Sequence, residues 1–216
     1  MLIYDIKWQV YTAGPTYKSY NGCRTELFLF GCKKALEGNP CIGCFNSQIW
    51  DSSVSKKSYT PLEVASNINR FALNRYITIG GGEPTDQFEE LIELCSYLKE
   101  YGFHIIVYTW RSLVNEIVLD INNKRELFCK LIDTVDIIID GEYKEDHRLY
   151  DENANDGLLN SIGSGNQIIW HKDYQYLHGC RMDDLKSFEL DKNNDPIFHL
   201  KENSLPIELN IGEYYK

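Results

Sequence analysis

Three of the seven cysteines lie close together in the sequence, in the order Gly31-Cys32-x8-Cys41-x2-Cys44. A Cys-x-x-Cys pair lets two thiolates reach one metal centre from a tight loop. A structural zinc ion usually takes four such ligands, and a ferredoxin-type cluster takes four cysteines. Only three are grouped here, and an iron–sulfur cubane held by three thiolates leaves one iron open for a substrate or cofactor. The alternative is a zinc site completed by a histidine or by Cys23.

The second candidate site is the glycine run Gly80-Gly81-Gly82-Glu83-Pro84, which follows a short predicted strand at residues 76–79. Three successive glycines at the end of a strand remove every Cβ from that surface, so a ligand can touch the backbone itself. The run is not a P-loop, because no Gly-Lys-Ser/Thr follows it. Taken alone, the run predicts only a tight turn. It is more informative here because its strand is the next one in order after the strand that precedes the cysteines.

A repeated strand–helix pattern positions these two loops. Apolar runs typical of strands begin near residues 25, 76, 103 and 135, with helical periodicity between the later ones. Thr60-Pro61-Leu62-Glu63 is a capping box, and Asp86 with Glu89 predicts a second helix start. Gly102 predicts the end of that second helix. The pattern predicts an α/β fold with a mostly parallel sheet, in which chemistry is expected just after each strand.

The rest of the chain is less regular. Residues 3–11 alternate as a half-buried strand does, residues 12–23 read as a loop, and helical segments cover residues 112–122 and 124–134. Residues 141–166 are polar and predict a long loop, and residues 186–216 predict a small tail with a hairpin. We therefore expect a main domain at residues 1–170, with a cluster loop at 31–46, and a C-terminal extension at 171–216.

Composition excludes several classes of protein. The net charge of −10 and the pI of about 5.0 argue against non-specific binding to nucleic acid, which requires many lysines and arginines. No secretory signal and no apolar run of membrane-spanning length is found, so we expect a cytoplasmic protein with reduced cysteines. Cys95, Cys129 and Cys180 are then expected in the core, and the five histidines show no metal-ligand spacing.

The two loops together resemble the radical S-adenosylmethionine (SAM) superfamily and, more narrowly, the activating proteins of anaerobic (class III) ribonucleoside-triphosphate reductases. The likeness spans residues 13–169, in the order found in that family. Four stretches carry it: Gly22-Cys23-Arg24 followed by LFLFGC, Cys41-Ile42-Gly43-Cys44-Phe45-Asn46 with Trp50 after it, Gly81-Gly82-Glu83-Pro84, and DIIIDG at 136–141 followed by Gly163-Ser164-Gly165-Asn166-Gln167.

The resemblance implies a partial (βα) barrel of the radical SAM type with a small C-terminal extension. It implies a 4Fe–4S cluster on Cys32, Cys41 and Cys44, and S-adenosyl-L-methionine bound to the open iron. The residues that it assigns to the SAM pocket are Phe45, Asn46, Gly80, Gly81, Gly82, Glu83, Tyr108, Thr109, Asp140, Ser164 and Asn166. It also implies that Arg24 pairs with an acidic group near the cluster.

The implied reaction is reductive cleavage of SAM to a 5′-deoxyadenosyl radical, which generates a glycyl radical on an anaerobic ribonucleotide reductase. An electron donor such as flavodoxin or ferredoxin is implied as a second partner, and neither nucleic acid nor membrane is expected. Two departures bear on the partner: eight residues separate the first two cysteines instead of three, and Ile168 stands where the family usually has arginine. The alternatives are a radical SAM enzyme acting on a small molecule or peptide, and a non-catalytic iron–sulfur or zinc module.

Overall fold

The computed structural model describes residues 1–10, 24–44, 46–54, 57–150, 161–193 and 195–215. The described strands are β1 (Ile3–Val10), β2 (Arg24–Leu29), β3 (Tyr76–Gly81), β4 (His104–Tyr108), β5 (Ile137–Asp140), β6 (Arg148–Tyr150), β7 (Ser161–Ser164), β8 (Ile168–Asp173), β9 (Tyr176–Arg181), β10 (Leu185–Leu190), β11 (Pro196–Leu200) and β12 (Ile207–Asn210). The α-helices are α1 (Lys33–Leu36), α2 (Pro61–Phe71), α3 (Phe88–Glu100) and α4 (Arg125–Thr134). No helix among these residues is long and apolar enough to cross a membrane.

The main sheet has eight strands in the order β1-β2-β3-β4-β5-β8-β9-β12. The α/β class is confirmed, and β2, β3, β4 and β5 are parallel as expected. The expectation of a mostly parallel sheet is wrong for the whole sheet, because β1, β8, β9 and β12 pair antiparallel. A tight turn at residues 174–175 joins β8 to β9, and such turns join only antiparallel strands. The sheet is open, with β1 and β12 at its edges.

Each face of the sheet has its own core. Helices α2, α3 and α4 cover one face, where Ile68, Leu94 and Phe128 pack on strand residues such as Ile105. The next residue of β4, Ile106, faces the other side and packs in a smaller cluster with parts of β5, β8 and β9. Because side chains alternate along a strand, both faces of the parallel strands are buried. Cys95 and Cys129 lie in the first cluster and Cys180 in the second, which confirms them as core residues.

Several local predictions can be compared with the structure. Thr60 and Glu63 form the capping box at the start of α2, and Gly102 follows α3 with a φ of +78°. The helix start at Asp86 is wrong: Asp86 lies in a 3₁₀ turn, and α3 begins at Phe88. In place of a helix over 112–122 there is one π-helical turn, Val114–Val118.

The region after β5 is more structured than the sequence suggested. Within the predicted loop at 141–166, β6 and β7 pair antiparallel, while residues 151–160 lie outside the described part of the chain. The predicted hairpin in the tail is confirmed as β10–β11. Strand β12 returns to pair with β9 in the main sheet. The division of the chain at residue 170 stays a prediction.

Candidate functional site

The first cysteine lies directly after β2. Gly31 takes a φ of +96°, and its N–H donates to the Ile49 carbonyl at 2.9 Å. The N–H of Cys32 donates to the Trp50 carbonyl at the same distance, so the segment beyond the third cysteine folds back onto the first. Cys32 is buried and immediately precedes α1.

The second and third cysteines share a tight turn that packs on the segment after β5. The N–H of Cys44 donates to the Cys41 carbonyl at 3.2 Å, and Gly43 between them has a φ of +73°. A Cβ on Gly43 would lie 2.5 Å from the Cβ of Glu145. The N–H of Glu145 in turn donates to the Ile42 carbonyl at 3.2 Å. Glycine is therefore required at position 43 by both its backbone angle and its surroundings.

All three thiols are free and act on one another electrostatically, Cys32 with Cys41 and Cys41 with Cys44. Burial raises the pKa of the Cys32 thiol to about 11 and also raises that of Cys41. An N–H group faces each sulfur and favours the thiolate at Cys32 and Cys41: these groups are the backbone N–H of Ala35, the backbone N–H of Tyr143 and, at Cys44, the indole Nε1–H of Trp50 at 3.4 Å. Hydrogen bonds to sulfur are among the features that set the potential of iron–sulfur clusters.

The glycine run lies against the cysteine strand. The N–H of Gly82 donates to the Leu29 carbonyl at 2.9 Å, and the N–H of Glu83 donates to the Gly31 carbonyl at 2.7 Å. A Cβ on Gly82 would lie 2.1 Å from the Gly31 oxygen, and one on Gly81 2.5 Å from the Leu29 nitrogen. These two glycines are thus required by close packing of protein backbone. The reason inferred from the sequence, access for a ligand, applies only to Gly80, where the nearest atom would be 4.0 Å away.

Asn46 connects the end of the cysteine loop to the glycine run. Its side-chain Nδ2–H donates to the Gly81 carbonyl at 2.9 Å. Phe45, which the resemblance places beside it in the SAM pocket, lies outside the described residues. The two loops that the sequence singled out independently are therefore held together by hydrogen bonds at three positions of the glycine run, residues 81, 82 and 83.

Glu83 is 1% exposed and ties β3 to β4. Its carboxylate accepts from the backbone N–H of Thr85 at 3.0 Å, from the Thr85 hydroxyl, from the Thr109 hydroxyl at 2.8 Å and from the Trp110 N–H at 3.0 Å. Burial raises the pKa of Glu83, while these donors act in the opposite direction. The glutamate thus connects the residues after the glycine turn to the end of β4, and the Thr109 hydroxyl is engaged in doing so. The places that the resemblance gives Glu83 and Thr109 in a SAM pocket stay predictions.

Sequence reasoning missed Arg111, which is 8% exposed in the loop after β4. Its guanidinium donates to the Thr85 hydroxyl at 2.9 Å and to Asp86 at 3.3 Å, with Glu116 at 3.5 Å. The other oxygen of Asp86 accepts from the backbone N–H of Lys33, the residue after the first cysteine, at 2.7 Å. Both carboxylate oxygens of Asp86 therefore accept hydrogen bonds from residues distant in sequence. The sequence signal that could have pointed to Arg111 was its position just past the end of a buried strand.

The remaining predicted pocket residues lie on the neighbouring loops. Tyr108 lies between the glycine run and β7: its Cβ would be 4.0 Å from a Cβ on Gly80, and its Cε1 3.6 Å from a Cβ on Gly163. Asp140 is 2% exposed, accepts from the Leu113 N–H at 2.6 Å, and has its pKa raised to about 6 by burial.

Ser164 and Asn166 follow the hairpin strand β7. The Ser164 hydroxyl accepts from the Lys144 N–H at 3.2 Å and is fully buried. Asn166 donates to the Glu142 carbonyl at 2.8 Å, while its side-chain oxygen is buried with no hydrogen-bond partner among the described residues. An unsatisfied buried acceptor is costly, so this oxygen is a candidate contact for a bound ligand.

Arg24 does not lie near the cysteines, contrary to the expectation. It begins β2, whereas Cys32 follows the other end of that strand. Its guanidinium donates to the Ile77 carbonyl at 2.6 Å and to Thr78 at 2.9 Å. A role for Arg24 beside the cluster is therefore wrong, because β2 separates the two residues along its length.

The donor set fits a 4Fe–4S cluster. Within the described ranges, no three Cys, His, Asp or Glu side chains converge to hold one metal ion. The zinc alternative stays open, because Cys23, one of the two candidates for its fourth ligand, lies outside the described residues. A cubane cluster binds each cysteine through a different iron, so three thiols spread around a loop suit it. Three thiols, each facing an N–H group, are what the chain offers to a 4Fe–4S cluster.

Comparison with known families agrees with this geometry. A family model described as "4Fe-4S single cluster domain" matches residues 20–170, which include the cysteine loop, the glycine run and strands β2 to β8 in part. No curated protein matches the chain. The matched range covers most of the chain and contains every candidate site residue that the sequence indicated. The chain belongs to the 4Fe-4S single cluster domain family.

Proposed function

We propose that the chain is a radical SAM enzyme, with a partial barrel of that type, that generates a glycyl radical on a partner protein such as an anaerobic ribonucleotide reductase. One observation carries the proposal: the glycine turn is hydrogen-bonded directly to the cysteine loop, while a Cβ on Gly80 would meet no atom nearer than 4.0 Å, so backbone beside the cysteines stays open to a ligand. A simple electron carrier has no need for open backbone there, whereas an enzyme that binds SAM beside its cluster does.

Cys32, Cys41 and Cys44 would hold the cluster, which when bound supplies an open iron and an electron for cleavage of SAM. The protein's own part is positioning and exclusion of water. The Trp50 indole donates a hydrogen bond toward the Cys44 sulfur, and the backbone N–H of Tyr143 donates one toward the Cys41 sulfur. The Gly31 and Gly82 contacts fix the distance between cysteine loop and turn.

The carbonyls of the glycine turn would accept hydrogen bonds from the amino group of SAM. Glu83 keeps that turn in shape through the Thr109 hydroxyl and the Trp110 N–H. Tyr108 would flank the nucleoside of SAM beside Gly80. The Asn166 side-chain oxygen, which is buried and has no hydrogen-bond partner among the described residues, would accept a hydrogen bond from the nucleoside. Asp140 and Ser164 would act through the loops that they hydrogen-bond.

A protein substrate suits the surface around the cysteines. Leu36 and Ile42, on either side of Cys41, are 59% and 73% exposed. Together these two side chains offer a small apolar surface beside the cysteines that a partner protein would cover. They support a glycyl-radical protein over a small molecule as the substrate, with flavodoxin or ferredoxin as electron donor.

The test is anaerobic reconstitution with iron and sulfide, followed by dithionite and SAM, with 5′-deoxyadenosine as the product measured. The wild-type protein should form the nucleoside, and Cys41→Ala should form none. Cys129→Ala is the matched control, because Cys129 is a buried core cysteine and should keep activity. A loaded cluster that never cleaves SAM would overturn the proposal in favour of an electron carrier.

The partner is tested separately. Incubation of the active protein with a class III reductase should give a glycyl radical signal in electron paramagnetic resonance (EPR). Nucleoside formation without that signal, combined with modification of a peptide or small molecule, would favour the alternative substrate class.

A further inference from the structure

The eight-residue spacer between the first two cysteines has a defined fold. Its first half forms α1, and Gly38 turns the chain with a φ of +86°. The N–H of Asn39 donates back to the Lys34 carbonyl at 3.1 Å. The spacer is thus a short helix closed on itself, which presents one face to solvent and the other to the protein.

Two adjacent lysines of α1 lie in opposite environments. Lys33 is exposed, whereas the Lys34 side chain is 6% exposed. The Lys34 ammonium donates to the Asn39 carbonyl, lies 3.2 Å from a Glu142 carboxylate oxygen and lies 5.4 Å from the centre of the Trp110 ring. Burying a lysine ammonium is costly even when it is paired, so this placement calls for a role.

The buried ammonium is held close to the second cysteine. Its acceptor Asn39 lies two residues before Cys41. Glu142 immediately precedes Tyr143, whose backbone N–H faces the Cys41 sulfur. Lys34 favours the thiolate form of Cys41, and Glu142 opposes it. The two charges differ in exposure, because the Glu142 side chain is 47% exposed. Water screens an exposed charge more strongly than a buried one, so the effect of Lys34 on the sulfur is the stronger.

We propose that Lys34 sets the reduction potential of the cluster bound by Cys32, Cys41 and Cys44. Reduction transfers one electron from an external donor, which is oxidised, to the cluster, which becomes more negative by one charge. A buried positive charge beside Cys41 stabilises that reduced state and raises the potential, and Glu142 lowers it. The helix that opens the spacer would thus hold a cation beside the cluster. The proposal rests on the cluster alone and not on SAM cleavage.

The experiment is an anaerobic potentiometric titration of the reconstituted protein without SAM, with the reduced cluster followed by EPR. Lys34→Met should shift the midpoint potential to more negative values, and Glu142→Gln should shift it by a smaller amount to more positive values. Lys33→Met is the matched control, because it removes the same charge from the exposed side of α1. It should leave the midpoint unchanged.

Iron content is measured for every variant, so that loss of the cluster is distinguished from a shift in potential. Lys34→Arg keeps the charge and should keep the wild-type midpoint even if the helix adjusts. Equal midpoints for wild type and Lys34→Met would overturn the proposal, as would equal shifts in Lys33→Met and Lys34→Met. If Lys34→Met does not load, the direction of the Glu142→Gln shift decides. A wild-type protein that binds no cluster overturns it outright, whereas one that shows these shifts without cleaving SAM contradicts only the proposed function.

Discussion

Two buried arginines lie at opposite ends of the parallel strands, and they are held in different ways. Arg24, at the amino end of β2, donates to the carbonyls of Ile77 and His104 at 2.6 and 3.1 Å. Its acceptors therefore belong to strands β3 and β4 themselves. Arg111, past the carboxyl end of β4, contacts side chains and backbone of the loops that follow the strands.

The electrostatics differ as well. Burial lowers the pKa of Arg24 to about 9, with His104 beside it. Arg111 forms ion pairs with Asp86 and Glu116, and its carbonyl accepts from the Gly141 N–H at 3.0 Å. The amino end of the sheet thus uses an arginine to join strands, and the carboxyl end uses one to join loops. The comparison predicts stability effects at the first end and effects on ligand binding at the second.

The largest effect is expected from adding a methyl group at the carboxyl end. Gly82→Ala places a Cβ against the Gly31 oxygen, so the turn and the cysteine strand must move apart. A displacement of about 1 Å at a reactive site can reduce the rate by about 100-fold, so nucleoside formation should fall to that extent. At the amino end, Gly102→Ala meets no atom within 4 Å; alanine at the φ of +78° lowers stability, but the rate per folded protein should stay unchanged. Equal losses in the two variants would break the comparison.

Arg24→Met tests the amino end. The change removes the hydrogen bonds of a charged guanidinium to the Ile77 and His104 carbonyls and to Thr78. A hydrogen bond to a charged group contributes about 1.5–3 kcal/mol, so the free energy of unfolding should fall by about 3 kcal/mol. Denaturant titration measures this change. The protein that remains folded should bind SAM as the wild type does, and weaker binding would show that the two ends are coupled.

Arg111→Lys tests the carboxyl end. Lysine keeps the charge but cannot contact Thr85 and Asp86 at once, because it lacks the planar fork of a guanidinium. SAM binding, measured by equilibrium dialysis, should weaken by about tenfold, or about 1.4 kcal/mol, with iron content unchanged. Arg125→Lys is the control, since Arg125 contacts the Ile117 and Val118 carbonyls outside the glycine turn. Unaltered SAM binding in Arg111→Lys would contradict the role of Arg111 in positioning the loops around the glycine turn.

The effect confined to the narrowest range of conditions concerns pH. Burial raises the pKa of Asp140 to about 6 from the ordinary value of 3.8. Between these values the folded state holds the proton and the unfolded state has lost it, so this carboxyl makes stability fall as pH rises through that window, by about 3 kcal/mol at most. Asp140→Asn should flatten that part of the profile, measured by denaturation of the apoprotein from pH 4 to 7. An unchanged profile would contradict the assigned burial.

Local signals in the sequence located most elements of the fold. The capping box at Thr60 and the β-branched run of β5 depend on neighbours within a few residues, so they are readable from the chain. The turn between β8 and β9 was not, because Tyr174 adopts a φ of +52° without the Asn-Gly or Asp-Gly signal of tight hairpins. That turn makes β8 and β9 antiparallel.

The motifs of the candidate site could be recognised in the sequence, whereas the contacts between them could not. The cysteines and the glycine run stand out by spacing, and the structure joins them. The reason for Gly81 and Gly82 depends on where the backbone of β2 runs, which no residue type reveals. The sequence around Asp86 predicted a helix cap. In the structure its two oxygens accept hydrogen bonds from Lys33 and Arg111, which are distant in sequence.

The central claim is that Cys32, Cys41 and Cys44 hold a 4Fe–4S cluster whose open iron lies beside the glycine turn. Its most direct test is anaerobic reconstitution with measurement of iron and sulfide, followed by EPR of the reduced protein with and without SAM. We predict about four irons and four sulfides per chain, lost in Cys41→Ala, and a signal that changes when SAM is added. One tightly bound zinc ion with no cluster, or a cluster signal that SAM leaves unchanged, would contradict the account.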